Sequence, residues 1–316
     1  MILSTGEALF DMIQKPGERL IEPVIGGSTL NVALGLARLG RKTGYLTKLS
    51  TDFFGQQIAD FFAHEGISTD YVVRAAGKQT TLAFAFLQPG GHADYSFYSS
   101  GAADRSMVAA DLPKRLPDDV KAVHFGSTLL ALEPAATTFT DYMLALAPER
   151  FFSFDPNVRA SLITDRPLWS KRCDELIRAA DFVKASVEDV AFINGGPADA
   201  AETAKAWSLA GPKVAVVTDG GKGATVAVGG EAVFVPAYHV EVIDTVGAGD
   251  TFQAAYLARL DELNRLDKRA IRGIELAEAV EVARFAVGAA AITCTRRGAD
   301  LPSRGEVDAF LKAKVS

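Results

Sequence analysis

A chain of 316 residues with 48% hydrophobic composition can bury an extensive core in one main domain. Its net charge of −6, with no basic block, argues against nucleic acid or an anionic membrane as partner. Cys173 and Cys294 are its only cysteines and lie far apart, which predicts reduced thiols and a cytoplasmic setting.

The first residues lack the basic and apolar regions of a secretory signal, and no run reaches the ~18 apolar residues of a membrane span. Residues 2–10 read as a first core strand ending at Asp11. Residues 12–25 carry Lys15-Pro16-Gly17 between two short apolar runs, a turn between strands. Gly26-Gly27-Ser28 opens a helix that closes at Gly40. A strand over 45–49 and a helix over 53–64 follow. Between 71 and 99 the pattern changes to hairpin grammar: strands over 80–87 and 95–98 about Pro89-Gly90-Gly91. This predicts a small separate sheet shared with residues 12–25. Apolar runs at 122–125, 151–154, 182–184 and 214–217 then recur at the length of a βαβ unit, with helices expected over 134–146, 167–180 and 198–209. That rhythm predicts parallel strands covered on both faces. A hairpin over 224–235 and helices over 251–264, 274–293 and 305–312 complete the α/β reading.

In an open α/β sheet, ligands sit beyond the carboxyl ends of the strands. Asp11 and the stretches 155–159, 184–189, 218–223 and 244–250 are therefore candidates, although turns also gather Asp, Asn and Gly. The stretch 242–252 stands out. Gly247, Ala248 and Gly249 leave backbone N–H groups bare at a helix start, which suits an anion. Asp250 beside that anion site is electrostatically odd unless a cation or a proton transfer is involved. The combination points to phosphoryl transfer. The four histidines show no metal-ligand spacing and read as structural or surface residues.

The run Asp244-Thr245-Val246-Gly247-Ala248-Gly249-Asp250-Thr251-Phe252 resembles the C-terminal signature of the ribokinase-like, or PfkB, carbohydrate kinases. Gly26-Gly27 with Asn31 resembles the family's N-terminal signature. The resemblance implies a three-layer αβα fold with a mainly parallel sheet and a small β-sheet lid. It implies one kinase domain over 1–316, with lid segments near 12–25 and 71–99. It makes Asp250 the general base and Gly247, Ala248 and Gly249 the anion hole. Asp11, Gly26, Gly27, Asn31, Phe97 and Arg159 fall to the sugar; Asn157, Lys184, Thr218, Gly220, Gly223 and Gly249 fall to ATP. Where the family carries Asn-x-x-Glu to organise Mg²⁺, this chain has Ser186-Val187-Glu188-Asp189, leaving Glu188 and Asp189 as equal candidates. Asp244 is the candidate for K⁺, with a structural turn cap as the competing role. Residues 6–12 and 93–98 look most like bacterial fructokinases, and Ser99 and Ser100 stand where kinases of 2-keto-3-deoxygluconate tend to carry Arg. D-fructose is thus expected over that sugar acid, with a catalytically silent sugar or nucleotide sensor as the non-enzymatic alternative. A homodimer through the lid is expected.

Overall fold

The computed structural model describes residues 1–14, 17–87, 93–197 and 199–315. Its large sheet has nine strands: β1 (Ile2–Thr5), β4 (Thr43–Ser50), β5 (Val72–Ala75), β8 (Ala122–Gly126), β9 (Phe151–Asp155), β10 (Phe182–Ser186), β11 (Val214–Thr218), β12 (Gly223–Val228) and β13 (Glu231–Pro236). Their order is β13-β12-β11-β10-β9-β8-β1-β4-β5, parallel throughout except at β12 and β13. A second sheet of four strands is ordered β3-β2-β6-β7, from β2 (Leu9–Gln14), β3 (Ile21–Gly26), β6 (Thr81–Leu87) and β7 (Ala93–Tyr98).

The pleat explains why the strands are apolar without alternation. Ile2, Phe151, Phe182 and Val214 enter one core; their neighbours Leu3, Phe152, Val183 and Ala215 enter the other. The first core is closed by α1 (Ser28–Arg38), α7 (Ala248–Glu262) and α8 (Leu276–Cys294). The second is closed by α3 (Ala135–Leu146), α4 (Arg166–Ala179), α5 (Val187–Asn194) and α6 (Ala200–Ala210). Helix α2 (Phe53–His64) packs with β2 and α1 in a third cluster, and α9 (Arg304–Val315) adds Val307 to the first. The arrangement is the expected three-layer sandwich. Among the described residues no helix is long and apolar enough to cross a membrane.

The expected first strand is in fact two. At Gly6 φ is 154°, and a methyl group there would come within 2.3 Å of Thr29 Oγ1, so the chain kinks where only glycine fits. The kink sends residues 2–5 into the large sheet and 9–14 into the small one. Asp11 therefore lies inside β2, not after a core strand. Val72–Ala75 also departs from expectation: it pairs with β4 in the large sheet. Lys15, Pro16 and the Pro89-Gly90-Gly91 turn lie outside the described residues.

Helices α1 and α7 position the site. A methyl at Gly35 would stand 2.6 Å from Ala254 Cβ, so the missing side chain lets the two helices meet closely. Their N-terminal turns then face one another.

Candidate active site

Those turns carry Ser28 and Asn31 on α1 and Asp250 on α7. Asp250 Oδ1 accepts from Ser28 Oγ at 2.6 Å and Oδ2 accepts from Asn31 Nδ2 at 2.8 Å. Asn157 Nδ2 donates to Ser28 Oγ at 2.7 Å and reaches Asp250 Oδ1 at 3.4 Å. The four residues come from three distant parts of the chain, and the hydrogen bonds fix one carboxylate in one orientation.

Helix α7 supplies the anion cradle. Gly247 is its N-cap, in the left-handed region at φ 78°, and a methyl there would come within 2.7 Å of Ala299 Cβ. Ala248 N–H donates to Thr245 O at 3.2 Å. The N–H groups of Gly247, Gly249 and Asp250 have no acceptor among the described residues, so the helix start presents open donors. A methyl on Gly249 would stand 3.2 Å from Lys184 Nζ, which puts an ammonium at the rim of the cradle. Lys184 is buried and paired with Asp155 Oδ2 at 2.6 Å. Burial alone would lower its pKa; Asp155, with Asp189 and Asp250, turns the balance upward and keeps the ammonium charged.

Cradle and carboxylate share a cavity of about 780 Å³. Asp11, Gly27, Asn31, Phe97 and Arg159 line one end; Thr218, Gly220 and Gly223 line the other, with Asn157, Lys184, Glu188 and Asp189 also on the wall. Two expected residues are absent from that wall. Gly26 stands behind Asp11, where a methyl would come within 2.2 Å of Asp11 Oδ2, so its contribution is room for that carboxylate. Asp244 ties loops together: Oδ1 accepts from Val246 N–H at 3.0 Å and Oδ2 from Gly298 N–H at 2.8 Å.

Burial pushes Asp11 up to about 6, with Arg159 opposing and Asp250 reinforcing the shift. Asp189 is buried and spends both oxygens on backbone N–H groups, of Val158 at 2.7 Å and Ser186 at 2.9 Å. Glu188 is exposed and has no ion pair among the described residues. The sequence reading missed His239, which lines the cavity, and gave no role to Ser28, Ser127, Thr128 or Glu7. For Glu7 a signal existed, since a lone acid inside an apolar run needs a reason to be there.

An open α/β sheet with a cavity at its strand ends, an anion cradle and a fixed carboxylate define an enzyme of group transfer to a hydroxyl. The pattern of the pfkB family carbohydrate kinases matches residues 1–304. A fructokinase of Rhizobium leguminosarum bv. trifolii is 37% identical over 279 residues, covering 87% of this chain and 84% of its own. Among solved structures, a fructokinase with bound ATP from Xylella fastidiosa superposes with a TM-score of 0.91 at 29% identity, covering 100% and 99% of the two chains. A Vibrio cholerae fructokinase double mutant with fructose, ADP and potassium ion does so at 0.86 and 26%, covering 98% and 97%. The chain belongs to the PfkB family of carbohydrate kinases.

Proposed function

We propose that the protein is an ATP-dependent fructokinase of the reducing cytoplasm, with Asp250 as its general base. The observation that carries this is the Asp250 carboxylate, fixed by Ser28 and Asn31 at the junction of the cradle and the Asp11 end of the cavity. An acceptor hydroxyl enters between Asp11 and Asp250 and is gripped by Asp11, Asn31, Arg159 and the Gly27 backbone. Phe97 closes over the sugar's apolar face. Asp250 takes the hydroxyl proton as its oxygen forms a bond to the γ-phosphorus; the bond to the bridging oxygen breaks, and ADP leaves with that oxygen. The N–H groups of Gly247, Gly249 and Asp250 hold the equatorial oxygens, and Lys184 offsets their charge. Ala248 belongs to this anion hole through its place in the turn, since its own N–H is engaged. Thr218, Gly220 and Gly223 carry the nucleotide, with Asn157 bridging the two substrates.

Magnesium, when bound with the nucleotide, supplies charge neutralisation among the phosphates. No cluster of three ligating side chains exists among the described residues, which fits an ion held mostly by phosphate and water. Glu188 suits that role better than Asp189, whose oxygens are already engaged. Asp244 is likewise committed to backbone N–H groups, and K⁺ carries no step here. Phe84 and Tyr98, 5.3 Å apart on the lid, give an aromatic face that supports pairing of two chains there. A solution mass of one chain would discard that pairing.

Fructose is favoured over a sugar acid because Arg105 is turned away, its Nε donating to Glu133 O at 3.0 Å, while Arg159 is faced by Asp11. A coupled ADP-release assay on fructose, 2-keto-3-deoxygluconate, ribose, tagatose and adenosine tests the reading. Fructose should give the highest kcat/KM. A better rival replaces the substrate assignment, and no turnover with any acceptor favours a sensor.

A further inference from the structure

One buried acid behind the cavity wall has no part yet in that chemistry. Asp155, the last residue of β9, is 1% exposed and is not among the residues that line the cavity. Strands β9 and β10 run parallel with Phe154 beside Val183, which brings Asp155 and Lys184 together one step further on. Asp155 Oδ2 accepts from Lys184 Nζ at 2.6 Å, the one hydrogen bond that Nζ makes among the described residues. Oδ1 accepts from Asn157 N–H at 3.2 Å. That bond closes a turn in which Asn157 stands at φ 38°, and from this turn its amide reaches Ser28 Oγ and Asp250 Oδ1.

A buried ion pair is a poor source of stability, since desolvating two charges offsets most of their attraction. This pair has its positive end toward the cradle: Nζ is 3.2 Å from where a methyl on Gly249 would stand. The ammonium need not touch the moving group, because a buried site of low dielectric carries its field across the gap. Two other acids raise Lys184, and neither is free to replace Asp155. Asp189 on α5 gives both oxygens to the Val158 and Ser186 N–H groups, and Asp250 on α7 gives its own to Ser28 and Asn31. His124 on β8 adds no charge: burial, and then Lys184, push it down to about 3.

We propose that Asp155 is a positioning residue for phosphoryl transfer: Oδ2 aims the Lys184 ammonium at the cradle, and Oδ1 holds the Asn157 turn against Asp250. One buried carboxylate thus sets both halves of the reaction, the charge that meets the phosphoryl group and the amide beside the base. The proposal rests on the kinase reading above and adds to it a reason for the buried pair to exist. Without Asp155, burial of Lys184 is opposed only by two acids that do not bond it, so the ammonium gives up its proton as pH rises.

Asp155→Asn keeps an oxygen for Asn157 N–H and removes the charge. Between about pH 7 and about pH 9, where the parent should run level, its kcat should fall by up to tenfold per unit, and lowering the pH should restore it. Lys184→Met should lower kcat about a hundredfold across that range, the scale of one lost transition-state donor. Combining Asp155→Asn with Lys184→Met separates positioning from a mere staple between strands. Both charges of the pair are then gone, so Tm should match or exceed the parent's, while kcat stays within about threefold of Lys184→Met alone. A double variant that regains Tm and kcat together makes the pair a staple and overturns the proposal. So does an Asp155→Asn enzyme whose pH profile runs parallel to the parent's. A parent enzyme that phosphorylates no sugar would instead sink the kinase reading, and this role with it.

Discussion

The two ends of the cavity are built from different material. At the acceptor end the wall is side chain: Glu7, Asn31 and Asp250 are buried, and hydrogen bonds from Ser28 and Asn31 join α1 to Asp250, more than 200 positions away on α7. At the nucleotide end it is backbone and exposed apolar surface. Gly220, Gly221 and Gly223 line it, and Val242 and Val246 on the facing loop are 58% and 44% exposed. Side-chain walls discriminate, because a misplaced hydroxyl leaves buried polar groups unpaired. Backbone walls tolerate, because they read phosphate through N–H groups that every residue but proline has. Under the proposed function, the enzyme thus spends its sequence specificity on the sugar.

The strongest test of the acceptor end is Asp250→Asn. The amide can keep both contacts, its oxygen accepting from Asn31 and its nitrogen donating to Ser28 Oγ, so the fold and sugar binding should survive. The proposed base is gone, and kcat should fall by about 10²–10⁴ with little change in either KM. Steady-state kinetics on fructose decide it. A kcat within tenfold of the parent would remove Asp250 from the proton transfer.

How much of this was legible beforehand follows the same division. The glycine and aspartate of the α7 turn are local in sequence, and their chemistry could be read from adjacency alone. The sandwich could be read from runs such as Phe151–Asp155, whose neighbours face opposite cores. The break at Gly6 could not, since the reason for it is Thr29, a residue of the next helix. Asp11 was singled out but given the wrong setting for that reason. Gly26 looked like a backbone contact for sugar, yet it is the neighbour that makes space for Asp11. Asp189 fits a metal motif by spacing; the Val158 N–H that engages it comes from another loop. In each case the missing fact was a contact across the fold.

A second prediction concerns pH at the acceptor end. Asp11 sits near 6 because burial and Asp250 outweigh Arg159. Its ionised fraction, the form that would accept from sugar hydroxyls under the proposed function, therefore grows as pH rises through that value. With ATP saturating, kcat/KM for fructose should climb roughly tenfold per pH unit below the inflection and level above it. Asp11→Asn should lower the plateau and abolish this step. A step that persists in Asp11→Asn belongs to another group, and the acceptor end is then less dependent on Asp11 than its burial suggests.

The smallest effect is expected at the nucleotide end, and it asks whether that wall is as tolerant as its composition implies. Gly223 has φ 134°, and a methyl there would come within 2.1 Å of Val235 O, so its glycine is demanded by the β12–β13 hairpin. Gly220, at φ 46°, is demanded by the turn. Gly221 is demanded by neither: its backbone is ordinary and a methyl would meet nothing within 4 Å. Gly221→Ala should leave Tm unchanged and the KM for ATP within about twofold, the scale of an unconstrained surface substitution. Isothermal titration with a non-hydrolysable ATP analogue reads this directly. A tenfold loss would mean that the nucleotide lies tight against Gly221, making this end of the cavity as exacting in shape as the other is in hydrogen bonding.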